Sequence, residues 1–149
     1  MMKYLLALML LAFTNITAQT KAMMIRISEI EIDSNYLNEY NNILQKESRA
    51  SVQLEPGVIA IYPMYQKEHP TQIRILEIYA NRKAYELHLK TPHFHKYKTS
   101  TLKMVKTLKL VDMDNIDYQS MGEIFRKIKR TGIFVGKGLQ VPSTETNAY

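Results

Sequence analysis

The sequence contains no cysteine. That excludes disulfides, a lipidated N-terminal cysteine and any thiolate metal ligand, and nothing in the chain calls for an oxidising or a reducing compartment. Long apolar runs are lacking as well. The stretch "YLLALMLLAF" at residues 4–13 is ten residues long, against the roughly 20 that a helix needs to cross a bilayer, so no stable membrane anchor is expected. With Lys3 before it and the small-residue segment "TNITA" after it, this stretch has the form of a signal peptide cleaved after Ala18, which implies export to the periplasm or medium. A translation start at Met23 or Met24 instead gives a cytoplasmic protein without a leader.

Negative charge is scarce in one segment. Residues 19–81 carry six Lys/Arg and eight Asp/Glu, whereas residues 82–109 carry eight Lys/Arg and one Glu. Basic stretches can bind nucleic acid. Here the lysines fall where a helix faces water, so a solvated face is expected and no nucleic-acid partner.

What is present, in 149 residues of which 46% are hydrophobic, is enough for one compact domain. "MMIRISEIEI" (23–32) alternates like a strand, but Ile25 and Ile27 share one face and Ile30 and Ile32 the other. Either a bulge lies near Ser28 and Glu29 or both faces are buried. Asp33 or Ser34 offers an N-cap, with Ile32 and Leu37 placed as a hydrophobic staple. The stripe Leu37, Tyr40, Ile43, Leu44 predicts a helix to about Ala50. "EPG" turns the chain into a second strand, residues 58–65, whose Pro63 marks an edge or a bulge. A third strand at 73–80 puts Ile73, Ile75, Glu77 and Tyr79 on one face. A helical region at 81–105 and a strand at 107–114 complete the order βαββαβ, which predicts an α+β, ferredoxin-like sandwich. Apolar residues in both phases of the first three strands call for a cover on the second sheet face, either a second copy or the C-terminal extension, with a homodimer as the default. Beyond that unit, residues 120–130 place Met121, Ile124, Phe125 and Ile128 on one helical face.

Three of the four histidines fall within "HLKTPHFHKY" (88–97). On a straight helix His88 and His93 point about 140° apart, and the i, i+4 spacing of a helical zinc motif is absent, so no metal site is expected. Thr91 is a good N-cap and Pro92 a good first helical residue, so the helix is expected to break there. In the first piece His88 falls in the stripe of Ala84, Tyr85 and Leu87. In the second, His93 borders the stripe of Phe94, Tyr97, Thr101, Met104, Val105 and Leu108, and His95 lies outside it. A buried-side histidine is often structural. Beside Glu77 and Tyr79, though, His88 and His93 can also form an acid/base or substrate-orienting set.

The run from Glu77 through "IYANRKAYELHLKTPHFHKY", with its E-x-Y, A-x-x-x-H and T-P-H-F elements, resembles the antibiotic biosynthesis monooxygenase domain family over residues 23–114. Residues 115–149 then form a C-terminal extension. The resemblance implies a dimeric α/β barrel of two ferredoxin-like protomers packed sheet to sheet. It further implies a cofactor-independent monooxygenase oxidising a small phenolic or quinol-like molecule with O2. Glu77, Tyr79, His88, Thr91, His93 and Phe94 are the family-like set. In it His88, His93 and Glu77 are the catalytic candidates, Tyr79, Phe94 and Tyr97 the substrate-binding ones, and Thr91 and Pro92 the structural cap, with no metal and no cofactor. A non-catalytic ligand-binding dimer is the alternative. Haem binding or degradation is weaker, since the chain has no Trp and its first strand no Asn.

Overall fold

A computed structural model describes residues 23–131; the leader at 1–18 and the end of the extension lie outside them. The element order is β1 (Met24–Ile32), a 3-10 turn (Ser34–Tyr36), α1 (Leu37–Leu54), β2 (Val58–Tyr65), β3 (Gln72–Tyr79), α2 (Arg82–His88), α3 (Pro92–Thr101), β4 (Val105–Met113) and α4 (Tyr118–Thr131). The four strands form one antiparallel sheet in the order β2-β3-β1-β4, the ferredoxin-like α+β arrangement. The chain divides at Met113/Asp114 into two compact units, with α4 in the second. No helix among the described residues is long and apolar enough to cross a membrane.

The odd phase of β1 has no bulge behind it at Ser28 and Glu29. Pairing with β3 and β4 runs unbroken through both residues, and the register shifts only at Glu31/Ile32 on the β4 side. Instead, the face toward the helices carries Arg26, Ser28, Ile30 and Ile32, all buried. Its Ile30–Ile32 end joins Tyr40, Leu44, Ile73, Ile75 and Met104 in the core, while its Arg26–Ser28 end underlies a polar layer. The opposite face reverses this, with half-buried Ile25 and Ile27 followed by Glu29 and Glu31. By cross-strand register that second face also holds Ala60, Tyr62, Met64, Leu76, Ile78, Val111 and Met113.

Local signals set the helix boundaries. Asp33 accepts from Asn35 N at 2.9 Å and so caps the 3-10 turn that leads into α1, which runs past Ala50 to Leu54. Thr91 and Pro92 split the second helical region as expected, into α2 and α3. The second helix stripe extends less far than its spacing suggested: α3 ends at Thr101, while Val105 and Leu108 belong to β4, and Leu108 is exposed. Residues 101, 104, 105 and 108 keep helical spacing across a turn, so periodicity alone could not detect the stop.

Candidate functional site

The polar layer is assembled around the turn that ends α1. Glu55 is the C-cap of that helix, its N–H bonded to Ser51 O at 3.1 Å. Pro56 and Gly57 then reverse the chain. A Cβ on Gly57 would stand 2.6 Å from Ala84 Cβ, so glycine here lets α2 rest directly on the turn. Asn81 starts α2 by accepting from Ala84 N at 2.9 Å, and Ala80 N donates to Gly57 O at 2.9 Å. One turn beyond Ala84, His88 reaches the carboxylate of Glu55.

Thr91 serves both sides of the break. Its Oγ1 donates to His88 O at 2.8 Å, closing α2, and accepts from Phe94 N at 3.4 Å, opening α3. The change of direction brings both imidazoles onto one oxygen: Glu55 Oε1 lies 3.0 Å from His88 Nδ1 and 2.6 Å from His93 Nε2. Spacing on a straight helix therefore does not describe this pair, and what it implied about shared ligation does not apply across the break. The three groups bring one ligand atom each to within 4.8 Å of one another.

Burial and charge differ sharply across the cluster. His88 is 3% exposed and lies between Phe94 (ring centroids 4.7 Å apart) and Tyr79 (5.5 Å). The side chain of His93 keeps 21% of its surface. On the far side of His88, its Nε2 faces Glu47 Oε1 at 3.8 Å, and that oxygen accepts from Ser51 Oγ at 2.7 Å. Burial raises the Glu47 carboxyl above the usual carboxylate range, against the pull of Ser51 and the two histidines. At Glu55 burial also acts upward, but hydrogen bonds and charge from His88 and His93 outweigh it and the carboxyl falls below its ordinary value. An ionised Glu55 only accepts, so His88 Nδ1 and His93 Nε2 both carry hydrogen.

The carboxylate shared by the histidines is thus Glu55, and not Glu77, which the sequence had placed beside them. Glu77 accepts from Ser28 Oγ and, at 2.8 Å, from Tyr79 OH. Tyr79 joins the two groups, its hydroxyl on Glu77 and its ring against His88. Tyr97 pairs with Tyr40, hydroxyl to hydroxyl at 2.7 Å. Burial pushes Tyr40 up to about 12, and burial first, then neighbouring Glu77 or Tyr40, raises Tyr79 and Tyr97 still further; all three are neutral phenols. Arg26 closes the layer, its Nε donating to Asp112 at 2.7 Å and its guanidinium over the Tyr85 ring at 4.7 Å. His95 is exposed, away from the cluster.

Sequence reasoning missed Glu55, Glu47 and Ser51. Two of them left a trace: Tyr40, Leu44, Glu47 and Ser51, spaced four, three and four, form the buried stripe of α1. A carboxylate and a hydroxyl continuing an apolar stripe mark a buried polar site. Glu55 left none, since it sits in a turn 33 residues from His88.

The chain matches the family described as antibiotic biosynthesis monooxygenase over residues 23–100. Among solved structures, a candidate antibiotic biosynthesis monooxygenase from Bacteroides thetaiotaomicron is 46% identical, with 66% of this chain and 93% of that chain covered and a TM-score of 0.64. A candidate monooxygenase from Lactobacillus acidophilus is 25% identical, covering 65% of this chain and 52% of that one at a TM-score of 0.59. A third, from Nitrosomonas europaea, shares the fold at 18% identity and a TM-score of 0.61, covering 64% and 92%. No curated protein matches the chain.

Proposed function

Because this chain belongs to the antibiotic biosynthesis monooxygenase family, we propose that it is a monooxygenase that oxidises a small phenolic or quinol-like substrate with O2, using His93 as the base. The observation that carries this reading is the 2.6 Å contact between Glu55 Oε1 and His93 Nε2. A carboxylate that holds Nε2–H fixes the tautomer, leaves the Nδ1 lone pair to take a proton, and stabilises the imidazolium that results. His93 is the more exposed of the two histidines, so a ligand can reach it, while buried His88 positions Glu55 from the other side. Phe94, partly buried with Tyr97 beside it, offers the aromatic wall, whereas Tyr79 is fully buried and backs His88 instead of meeting the substrate, its hydroxyl held by Glu77.

The reaction needs no outside reductant. Proton transfer to His93 gives a phenolate, which supplies electrons to O2; one oxygen atom bonds to a ring carbon and the other leaves as water. A phenol plus O2 becomes a quinone plus water, so the ring supplies all four electrons, and the proton held on His93 returns to the departing oxygen. A second copy on the apolar sheet face completes the proposed assembly, supported by half-buried Ile25, Ile27 and Leu76 on that face and by exposed Tyr62, Met64 and Met113. The test is O2 uptake across a panel of phenols and hydroquinones, with 18O2 to trace one labelled atom into the quinone. His93→Ala is expected to lower turnover by about 10² to 10⁴. Undiminished turnover in the His88→Ala, His93→Ala double variant removes the base, and saturable binding without O2 uptake makes the domain a ligand-binding module.

A further inference from the structure

A neutral imidazole has one N–H and one lone pair. His88 nonetheless faces a carboxylate at each nitrogen, Glu55 at Nδ1 (3.0 Å) and Glu47 at Nε2 (3.8 Å), and it is buried between them. If Nδ1 donates to Glu55, as an ionised Glu55 requires, a neutral His88 points its Nε2 lone pair at an oxygen of Glu47. A cation on the Glu55 side reverses the tautomer: Nδ1 gives its lone pair to the ion and Nε2–H turns to Glu47, itself held by Ser51 at 2.7 Å. Metal-ligating histidines commonly have this outer arrangement, a carboxylate on the nitrogen that does not bind the metal.

We infer that Glu55 Oε1, His88 Nδ1 and His93 Nε2 form a binding site for one divalent transition-metal ion, with Glu47 as the outer carboxylate behind His88. Two imidazoles and one carboxylate suit zinc and its first-row neighbours, and three protein ligands leave a coordination position for water or a ligand. Ligand atoms around a tetrahedral ion at about 2.1 Å stand roughly 3.3 Å apart. Glu55 Oε1 stands 3.0 and 2.6 Å from the two nitrogens and all three atoms lie within 4.8 Å of one another, so seating an ion asks Glu55 to retreat by roughly half an ångström and the two nitrogens to draw together by at most about 1.5 Å. Each ring's hydrogen shifts, by exchange with solvent, to the nitrogen facing away from the ion, so both imidazoles stay neutral and no net proton is released. The site is reached from the side of His93 and Glu55, both only partly buried.

Occupation has a consequence for the same residues, and this part rests on the proposed function. An ion on His93 Nε2 forces the ring hydrogen onto Nδ1, the atom that would otherwise accept the substrate proton. Metal-bound and base forms exclude each other, so the ion acts as a brake on turnover.

The full chain, stripped of metal by a chelator and dialysed, is titrated with zinc chloride and separately with cobalt(II) chloride. The expected result is one equivalent bound, a cobalt visible spectrum of low coordination number, and long-range imidazole NMR placing zinc on His93 Nε2 and His88 Nδ1. Affinity is expected to fall at least tenfold in Glu55→Gln and in His93→Ala and to hold in His95→Ala; His93→Ala, at a partly exposed position, keeps the test valid if Glu55→Gln misfolds. No binding, or binding undiminished in His93→Ala, overturns the site whatever the activity. One equivalent bound at these atoms with unchanged O2 uptake overturns the brake and, with it, His93 as the base, while the metal site stands.

Discussion

Replacing Glu55 with Gln keeps the shape of the side chain and removes its charge, which makes it the sharpest probe of the polar layer. Two bonds converge on one oxygen, at 3.0 and 2.6 Å. A hydrogen bond to a charged group contributes about 1.5–3 kcal/mol net and a neutral one about 0.5–1.5, so losing the charge from both costs about 2–3 kcal/mol. Part of this is offset because an amide is cheaper to bury than a carboxylate, leaving about 2 kcal/mol. In a domain of this size that lowers the melting temperature by roughly 10 °C. Urea unfolding with chelator present, followed by circular dichroism, measures the difference without metal. The pH dependence adds a second check. Because the folded Glu55 carboxyl sits below its ordinary value of 4.5, its contribution is full above that value and is lost as pH falls through the folded value. The gap between wild type and Glu55→Gln is therefore expected to be constant near neutrality and to close under acid. A variant within about 0.5 kcal/mol of wild type at neutral pH, or a gap that does not narrow as acid is added, refutes the charge-assisted pairing.

Two other perturbations test the frame around the site. Tyr40→Phe and Tyr97→Phe each strand a buried hydroxyl, since among the described residues the two bond only to each other, at 2.7 Å; each is expected to cost about 1–2 kcal/mol, with the double variant well short of the sum. Additive losses in urea unfolding would show that the hydroxyls are not coupled. Gly57→Ala drives a methyl into Ala84, with 2.6 Å between the Cβ atoms, and is expected to cost about 1–3 kcal/mol. Ala84→Gly in the same chain is expected to restore much of this, and a Gly57→Ala protein as stable as wild type would mean that α2 does not rest on the turn.

Much of the fold could be read from the sequence because its signals are local. Thr91 and Pro92 announce the helix break by their own conformational preferences, and Glu77 and Tyr79 share a strand face by alternation alone. The β1 phase slip was visible but ambiguous: its cause is a strand whose inner face is polar beneath the site and apolar beneath the core, which no count along one strand distinguishes from a bulge. The site was half legible for a related reason. His88 and His93 are five residues apart, whereas Glu55 meets them across 33 and 38 residues, and no spacing rule reaches that far. Glu77 drew attention as the nearer carboxylate, but Ser28, from the neighbouring strand, and Tyr79 had already claimed it.

The break between α2 and α3 also acts as a ruler. Only residues 89–92 separate His88 from His93, and along a helix each added residue turns the chain by about 100° and advances it 1.5 Å. A single insertion there can leave a good cap and an intact α3 while swinging His93 away from Glu55. Related chains can accordingly be sorted by the length of that one segment: those that alter it keep the architecture and give up the triad, however many histidines they carry.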